Sequence, residues 1–159
     1  MPTTILLIRH AQRANNHHGP DRSCPISQAG RATQEKVAHE LKTLGLIPNR
    51  IYFSPTRRTE ETAAIMGAAF HIDTVTEPAL AFAADEGALF ALVPDPSSNE
   101  TIAWVGHGPP LLTFAQMATR EIPIDIEMAT SSVIVLQFDG EVNLRKAKFL
   151  RYINAETSG

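Results

Sequence analysis

Four aliphatic residues in succession, Ile5 to Ile8, end at two polar residues, Arg9 and His10. A short apolar run without polar alternation is typical of a strand buried on both faces of a sheet. Such a strand needs a layer of structure on each face, and helices supply both layers where strands and helices alternate along the chain. Ligand sites of open α/β sheets lie where the parallel strands end. The sequence therefore places Arg9 and His10 where a functional site is expected.

The rest of the chain alternates between helix and strand signals. Ser27 is expected to cap a helix that runs to about Leu44, and Gly45 to stop it. A short strand in "RIYFSP" precedes a second helix, residues 72–76 resemble a third strand, and "DEGALFALV" resembles a short helix. A buried strand, "TIAWV", then leads into "PPLLTFAQMA", a helix with proline in its first turn. Two last strand-like runs, joined by Asp139 and Gly140, are expected to form a hairpin with a two-residue turn.

These signals predict one fold class. We expect a single domain over residues 1–159, built as a three-layer α/β/α sandwich with a mainly parallel central sheet and a C-terminal antiparallel hairpin. A length of 159 residues fits one domain with one substantial core. We expect a disordered tail from about residue 153.

Charge and cysteine content exclude several classes of function. The formal net charge is -3 and no run of lysine or arginine occurs, so neither nucleic acid nor a membrane is expected as a partner. Cys24 is the single cysteine, so no internal disulfide forms, and with no leader-like amino terminus we expect a cytoplasmic location. The adjacent His17 and His18 have no carboxylate or thiol at ligand spacing, so no metal site is predicted.

Basic residues follow three of the predicted strands. His107 stands between two glycines after "TIAWV", and parallel strands present the same ends to one crevice, so His10 and His107 are expected to converge there. Arg57 and Arg58 fall in the first turn of the helix after the second strand, where an anion is favoured. Because arginine binds phosphate oxygens in bidentate fashion, the sequence predicts a pocket for a phosphoryl group, with a phosphate or sulfate ion as an expected occupant.

Four motifs resemble a known family. "LLIRHAQ" is similar to the Arg-His-Gly signature of the histidine phosphatase superfamily, also called the phosphoglycerate-mutase-like superfamily. "PISQAG", "SPTRRTEETA" and "VGHG" resemble further motifs of that superfamily in the same order, and the resemblance covers roughly residues 4–148. The chain departs from the pattern at Ala11, Ser27 and Glu61, where the superfamily has glycine, threonine and glutamine.

The resemblance implies a role for each matching residue. His10 would be the nucleophile that accepts the phosphoryl group, since a neutral imidazole attacks phosphorus without prior deprotonation. Arg9, Arg58 and His107 would hold the phosphoryl oxygens, which needs no cofactor or metal. Two further phosphate contacts are expected, from Gly108 and from Asn16, and whether Arg57 also touches phosphate is left open.

The general acid is a separate question. Relatives that act on esters carry a glutamate after the third strand to protonate the leaving alkoxide. The candidates here are Glu77, Asp85 and Glu86, but the last two head a predicted helix, where acidic side chains are favoured by the helix dipole in any case. A simple capping role therefore stays open. A weak acid favours a phosphoramidate substrate, whose leaving nitrogen is far less basic than an alkoxide.

The short segments between motifs are similar to the compact bacterial phosphohistidine phosphatase branch, the SixA type. The implied function is a metal-independent phosphatase that removes phosphate from a phosphohistidine domain of a partner protein. Two alternatives remain. The substrate could be a small phosphomonoester, or the chain could be a catalytically silent phosphate-binding module.

Overall fold

A computed structural model describes residues 2–81, 85–123 and 125–154, without the side chain of Glu86. In this part of the chain six strands form one sheet in the order β3-β2-β4-β1-β5-β6. Strands β1 to β4 pair in parallel, and β5 pairs antiparallel with both β1 and β6. The elements in chain order are β1 (Thr3–Arg9), α1 (Gln28–Thr43), β2 (Arg50–Phe53), α2 (Arg57–Phe70), β3 (Thr74–Thr76), α3 (Glu86–Leu92), β4 (Thr101–Gly106), α4 (Gly108–Ala118), β5 (Val133–Phe138) and β6 (Lys148–Ile153).

Strand β1 lies inside the sheet, between β4 and β5, and is covered on both faces. Every side chain from Ile5 to Ile8 is fully buried. Ile5 and Leu7 pack into a core cluster that includes residues of α3 and α4. Leu6 and Ile8 point the other way, into a cluster with residues of α1 and α2. This alternation produces two cores around one sheet, and the predicted three-layer sandwich is confirmed.

The first two helices begin at side-chain caps. Ser27 Oγ accepts a hydrogen bond from the Gly30 amide at 2.9 Å, so α1 starts where the sequence predicted. Gly45 follows the end of α1 with a φ of 74°, a left-handed conformation that glycine adopts without steric cost. The Thr56 side chain caps α2 by accepting from the Thr59 amide. Helix α2 therefore starts within the "SPTRRTEETA" motif and carries Arg57 and Arg58 in its first turn.

The predicted two-residue turn between the last strands is wrong. Strands β5 and β6 do pair antiparallel, but β6 begins only at Lys148. Gly140 does not adopt the positive φ that a type I′ turn requires. Instead, the amides of Arg145 and Ala147 donate at 2.8 and 2.9 Å to carbonyls at the end of α4. Because residues 145 and 147 form these hydrogen bonds with the end of α4, the segment between β5 and β6 cannot close as a tight turn.

The last strand, β6, lies at the carboxyl-terminal end of the described residues. Strand β6 continues to Ile153, so the disorder predicted from about residue 153 falls mainly on residues 155–159, which lie outside the described residues. No helix within the described ranges is long and apolar enough to cross a membrane.

Candidate active site

Three neighbouring parallel strands, β2, β4 and β1, bring their carboxyl ends to one edge of the sheet. Hydrogen bonds between the strands continue past the strand ends. The His10 amide donates to the Gly106 carbonyl and the Ser54 amide donates to the Val105 carbonyl, each at 3.0 Å. His107 follows β4 directly. The predicted convergence of His10 and His107 is present, with their ring centroids 5.7 Å apart.

The imidazole of His10 is buried and fixed in orientation. Its side chain is 5% exposed, and Nδ1 lies 2.8 Å from the Ala11 carbonyl oxygen. Because a carbonyl can only accept, this contact assigns the proton to Nδ1 and leaves the lone pair on Nε2. The Ala11 amide in turn donates to Thr62 Oγ1 at 2.9 Å, which fixes the backbone that orients the ring.

Both histidines are neutral near pH 7. Burial lowers the pKa of His10 from 6.5 to about 4, with smaller contributions from the charges of Arg58 and Arg9. Burial also lowers the pKa of His107 to about 4, assisted by Arg58 and opposed by Asp21. His10 therefore has an unprotonated Nε2 at physiological pH, which is the state that a nitrogen nucleophile requires.

Two arginines supply positive charge beside these rings. Arg9 Nη1 donates to the Met128 carbonyl at 2.5 Å. Arg58, 7% exposed, donates through Nη1 to the Asp21 carbonyl at 3.1 Å and pairs through Nη2 with Asp21 Oδ2 at 3.2 Å. The Nε atoms of both arginines are buried and have no hydrogen-bond partner within the described part of the chain. Since buried donors without partners are rare and costly, these two atoms fit an oxyanion that would satisfy them.

His107 connects this centre to the amino terminus of α4. It is 3% exposed, its Nε2 lies 3.0 Å from Ser54 Oγ, and it occupies the cap position of α4. The helix terminus adds amide donors and partial positive charge, which favour an anion. At Gly108 an added Cβ would lie 3.3 Å from Arg9 Cδ and Nε, so glycine lets the arginine pack against the helix start.

The structure also brings in residues that the sequence analysis did not single out. Asp21 lies on a short 3-10 helix in the loop after β1 and pairs with Arg13 at 2.6 Å as well as with Arg58. No sequence pattern pointed to Asp21, because Arg58, its partner in the centre, is 37 residues away along the chain. Ser54 was visible inside the "SPTRRTEETA" motif, but its contact with His107 depends on the order of β2 and β4 in the sheet.

Other predicted residues lie apart from this centre or have different contacts. Arg57 is exposed and pairs with Glu61 at 3.4 Å. Asn16 is exposed, with a φ of 62°, and its contact with phosphate stays a prediction.

The candidate acids occupy helix caps. Asp85 Oδ1 accepts from the Gly87 amide at 3.0 Å, and Glu77 Oε1 accepts from the Ala79 amide at 3.2 Å. Capping, the role that the sequence left open for Asp85, is therefore present. The side chain of Glu86 lies outside the described part of the structure. The identity of a general acid stays a prediction.

One of the two loop histidines, His17, has structural contacts. His17 Nε2 lies 3.1 Å from the Pro20 carbonyl oxygen and 3.2 Å from Ser23 Oγ. Across the ranges that the structure describes, no group of three or more His, Cys, Asp or Glu residues could hold a metal ion.

Comparison with known proteins connects this geometry to a family. Residues 5–81 match the model of the histidine phosphatase superfamily, branch 1. This match spans the motifs that contain Arg9, His10 and Arg58. A comparison with curated protein sequences gave no match.

Solved structures share the fold over almost the whole chain. A structure of the protein histidine phosphatase SixA complexed with tungstate aligns with a TM-score of 0.84 at 18% identity, covering 98% of this chain and 99% of that one. A phosphoserine phosphatase from Entamoeba histolytica aligns at 0.70 with 15% identity, covering 96% and 97%. A mycobacterial glucosyl-3-phosphoglycerate phosphatase aligns at 0.63 with 14% identity, covering 94% and 97%.

These comparisons confirm the resemblance to the histidine phosphatase superfamily that the motifs indicated. Residues 5–81 match the branch 1 model, and the chain has a phosphoglycerate-mutase-like fold over nearly its full length. Within that fold it is similar to a SixA structure.

Proposed function

We propose that this protein is a phosphatase that works through a phosphohistidine intermediate on His10. The observation that carries the proposal is the neutral His10, whose Nε2 lone pair lies in a centre with two buried arginine Nε donors. The superfamily match over residues 5–81 supports the class of activity.

The reaction proceeds in two transfers. His10 Nε2 attacks phosphorus and forms a P–N bond, while the bond from phosphorus to the substrate's leaving atom breaks with its electron pair. A water oxygen then attacks the phosphohistidine, the P–N bond breaks, and inorganic phosphate leaves as His10 regains its lone pair. Arg9 and Arg58 neutralise the phosphoryl oxygens in both steps, so the chemistry requires no metal ion.

The substrate we favour is phosphohistidine on a partner protein. Asp85 and Glu77 accept hydrogen bonds at helix caps, and a leaving imidazole nitrogen needs protonation far less than an alkoxide does. The similarity to a SixA structure supports this choice, and the tungstate in that structure supports an oxyanion pocket.

We place the protein in the cytoplasm because its single cysteine, Cys24, is free and buried.

Small phosphomonoesters are the second candidate. The similarity to a glucosyl-3-phosphoglycerate phosphatase and to a phosphoserine phosphatase favours them. In that case Asp85 or Glu86 would have to protonate the leaving oxygen. A phosphate-binding module without turnover is the third candidate, and it uses the same arginines.

Turnover of a phosphohistidine-bearing protein beside a panel of phosphomonoesters, measured in chelator, tests the proposal. The wild type should dephosphorylate the protein faster than any ester, and His10→Ala should lose both activities. Faster ester turnover would overturn the substrate assignment. Phosphate binding without any turnover would support the binding module instead.

A further inference from the structure

A cleft of about 420 Å³ opens beside the site arginine Arg9. One wall is the outer face of α4, and the other is the segment at residues 127 and 128. The cleft is lined by Arg9 and Gly108 of the centre described above, so it adjoins that centre. The lining residues that matter here are Arg9, Gly108, Leu112, Thr113, Gln116 and Glu127.

The second wall is tied to the catalytic machinery. The Met128 carbonyl accepts from Arg9 Nη1, and Met128 itself is 4% exposed. The Tyr152 hydroxyl donates to the Glu127 carbonyl at 3.1 Å and accepts from the Ala129 amide at 3.2 Å. The backbone of Glu127 is therefore held by Tyr152 of β6, and that of the next residue, Met128, is held by Arg9. The side chain of Glu127 is exposed.

The cleft is lined by two charged side chains, those of Arg9 and Glu127. Beyond Arg9, its lining consists of apolar side chains, the polar Thr113 and Gln116, and the carboxylate of Glu127. An ester that carries its own carboxylate would meet Glu127 as a like charge. A neutral or cationic group, such as an imidazole ring beside a basic residue, would not.

A second concavity is the competing position for the leaving group. It has a volume of about 460 Å³ and is lined by Arg22, Arg57 and Glu60 among others, but by none of Arg9, His10, Arg58 and His107. This concavity therefore shares none of these four residues with the centre, whereas the cleft beside Arg9 shares Arg9 itself.

We propose that the cleft between α4 and residues 127–128 binds the group that carries the phosphoryl, and that Glu127 selects neutral or cationic groups over acidic ones. This inference rests on the proposed function and adds to it a preference among substrates. Glu127 is a specificity residue in this account and takes no part in the transfer itself.

The test compares two N-phosphorylated histidine peptides that differ at one neighbouring residue, lysine in one and glutamate in the other. For the wild type, kcat/KM should be about fivefold higher for the lysine peptide, the effect of roughly one exposed charge pair. Glu127→Lys should lower this ratio to one or below. Gln116→Trp should raise KM for both peptides by filling the cleft. The matched control is Glu35→Lys, the same charge change on the exposed face of α1, which should keep the wild-type ratio.

A ratio that Glu127→Lys leaves unchanged would overturn the inference, as would a ratio that moves with Arg57→Glu instead. Phosphoramidate separates this failure from failure of the proposed function, because it has a P–N bond but no organic group to fill the cleft. If the wild type hydrolyses neither phosphoramidate nor the two peptides in a His10-dependent reaction, the proposed function fails. If it does and the peptide ratio does not respond to Glu127→Lys, only the inference fails.

Discussion

The rings of His10 and His107 lie 5.7 Å apart, centroid to centroid, at an interplanar angle of 64°. Both rings are buried, and both have a pKa lowered to about 4. The positive charge of the centre at neutral pH therefore comes from Arg9 and Arg58, and Nε2 of His10 keeps its lone pair.

The first prediction concerns the pH dependence of activity. Because His10 is neutral above its lowered pKa, kcat/KM should be constant from about pH 5 to 8 and fall as the pH drops through about 4. Initial rates on a phosphohistidine protein across this range give the profile, after correction for the substrate's own titration and for its uncatalysed acid hydrolysis, measured with His10→Ala. An inflection near pH 6.5 would show instead that His10 has an unperturbed pKa.

The second prediction concerns stability in acid. Both histidines have folded pKa values below the unfolded value of 6.5, so the unfolded state binds more protons between pH 6.5 and 4. Stability should be independent of these groups above pH 6.5 and decrease as the pH falls to 4, by about 3 kcal/mol for each histidine. Urea unfolding at a series of pH values measures this slope. The double variant His10→Gln, His107→Gln should flatten it, and an unchanged slope would contradict the assignment.

The third prediction separates two adjacent arginines. Arg58 is buried and contacts Asp21, whereas Arg57 is exposed and pairs with Glu61. Arg58→Ala should lower kcat/KM by about 100-fold or more, because it removes a preorganised donor for the phosphoryl oxygens. Arg57→Ala is the matched control and should change it by less than about threefold. Equal losses of kcat/KM in the two variants would contradict the assignment of Arg58, and not Arg57, to the site.

The fourth prediction concerns the contact of α1 with the segment after His10. A Cβ at Gly30 would lie 2.6 Å from the Gln12 carbonyl oxygen and 2.9 Å from its nitrogen, both backbone atoms that cannot move aside cheaply. Gly30→Ala should therefore destabilise the fold by about 2 kcal/mol or more. Gly140→Ala, at a position with nothing within 4 Å of the added Cβ, is the control and should change stability by less than about 0.5 kcal/mol. Similar unfolding midpoints for both variants would show that α1 can shift.

Much of the fold followed from the sequence because its strongest signals are local. The run from Ile5 to Ile8 predicts a strand buried on both faces, which the two core clusters show. Ser27 and Gly45 bound α1 through their own side-chain and backbone chemistry. The turn at Asp139 and Gly140 could not be predicted, because the end of α4 decides it through bonds to Arg145 and Ala147. Those partners are remote in sequence.

The candidate site divides in the same way. The positions of His10, His107 and Arg58 followed from strand ends and one helix start. Asp21 could not be found, since its pairing with Arg58 depends on how the loop after β1 folds over α2. Glu127 was missed as well, because only the tertiary fold brings it to the cleft beside Arg9.

The most direct test of the central claim is detection of the phosphoenzyme. Rapid quenching of the wild type with a phosphohistidine-bearing protein in chelator, followed by peptide mass spectrometry, should place one acid-labile, alkali-stable phosphoryl group on His10. The same experiment with His10→Ala should show none. Release of phosphate by the wild type without any label on His10, or with the label on another residue, would contradict the account.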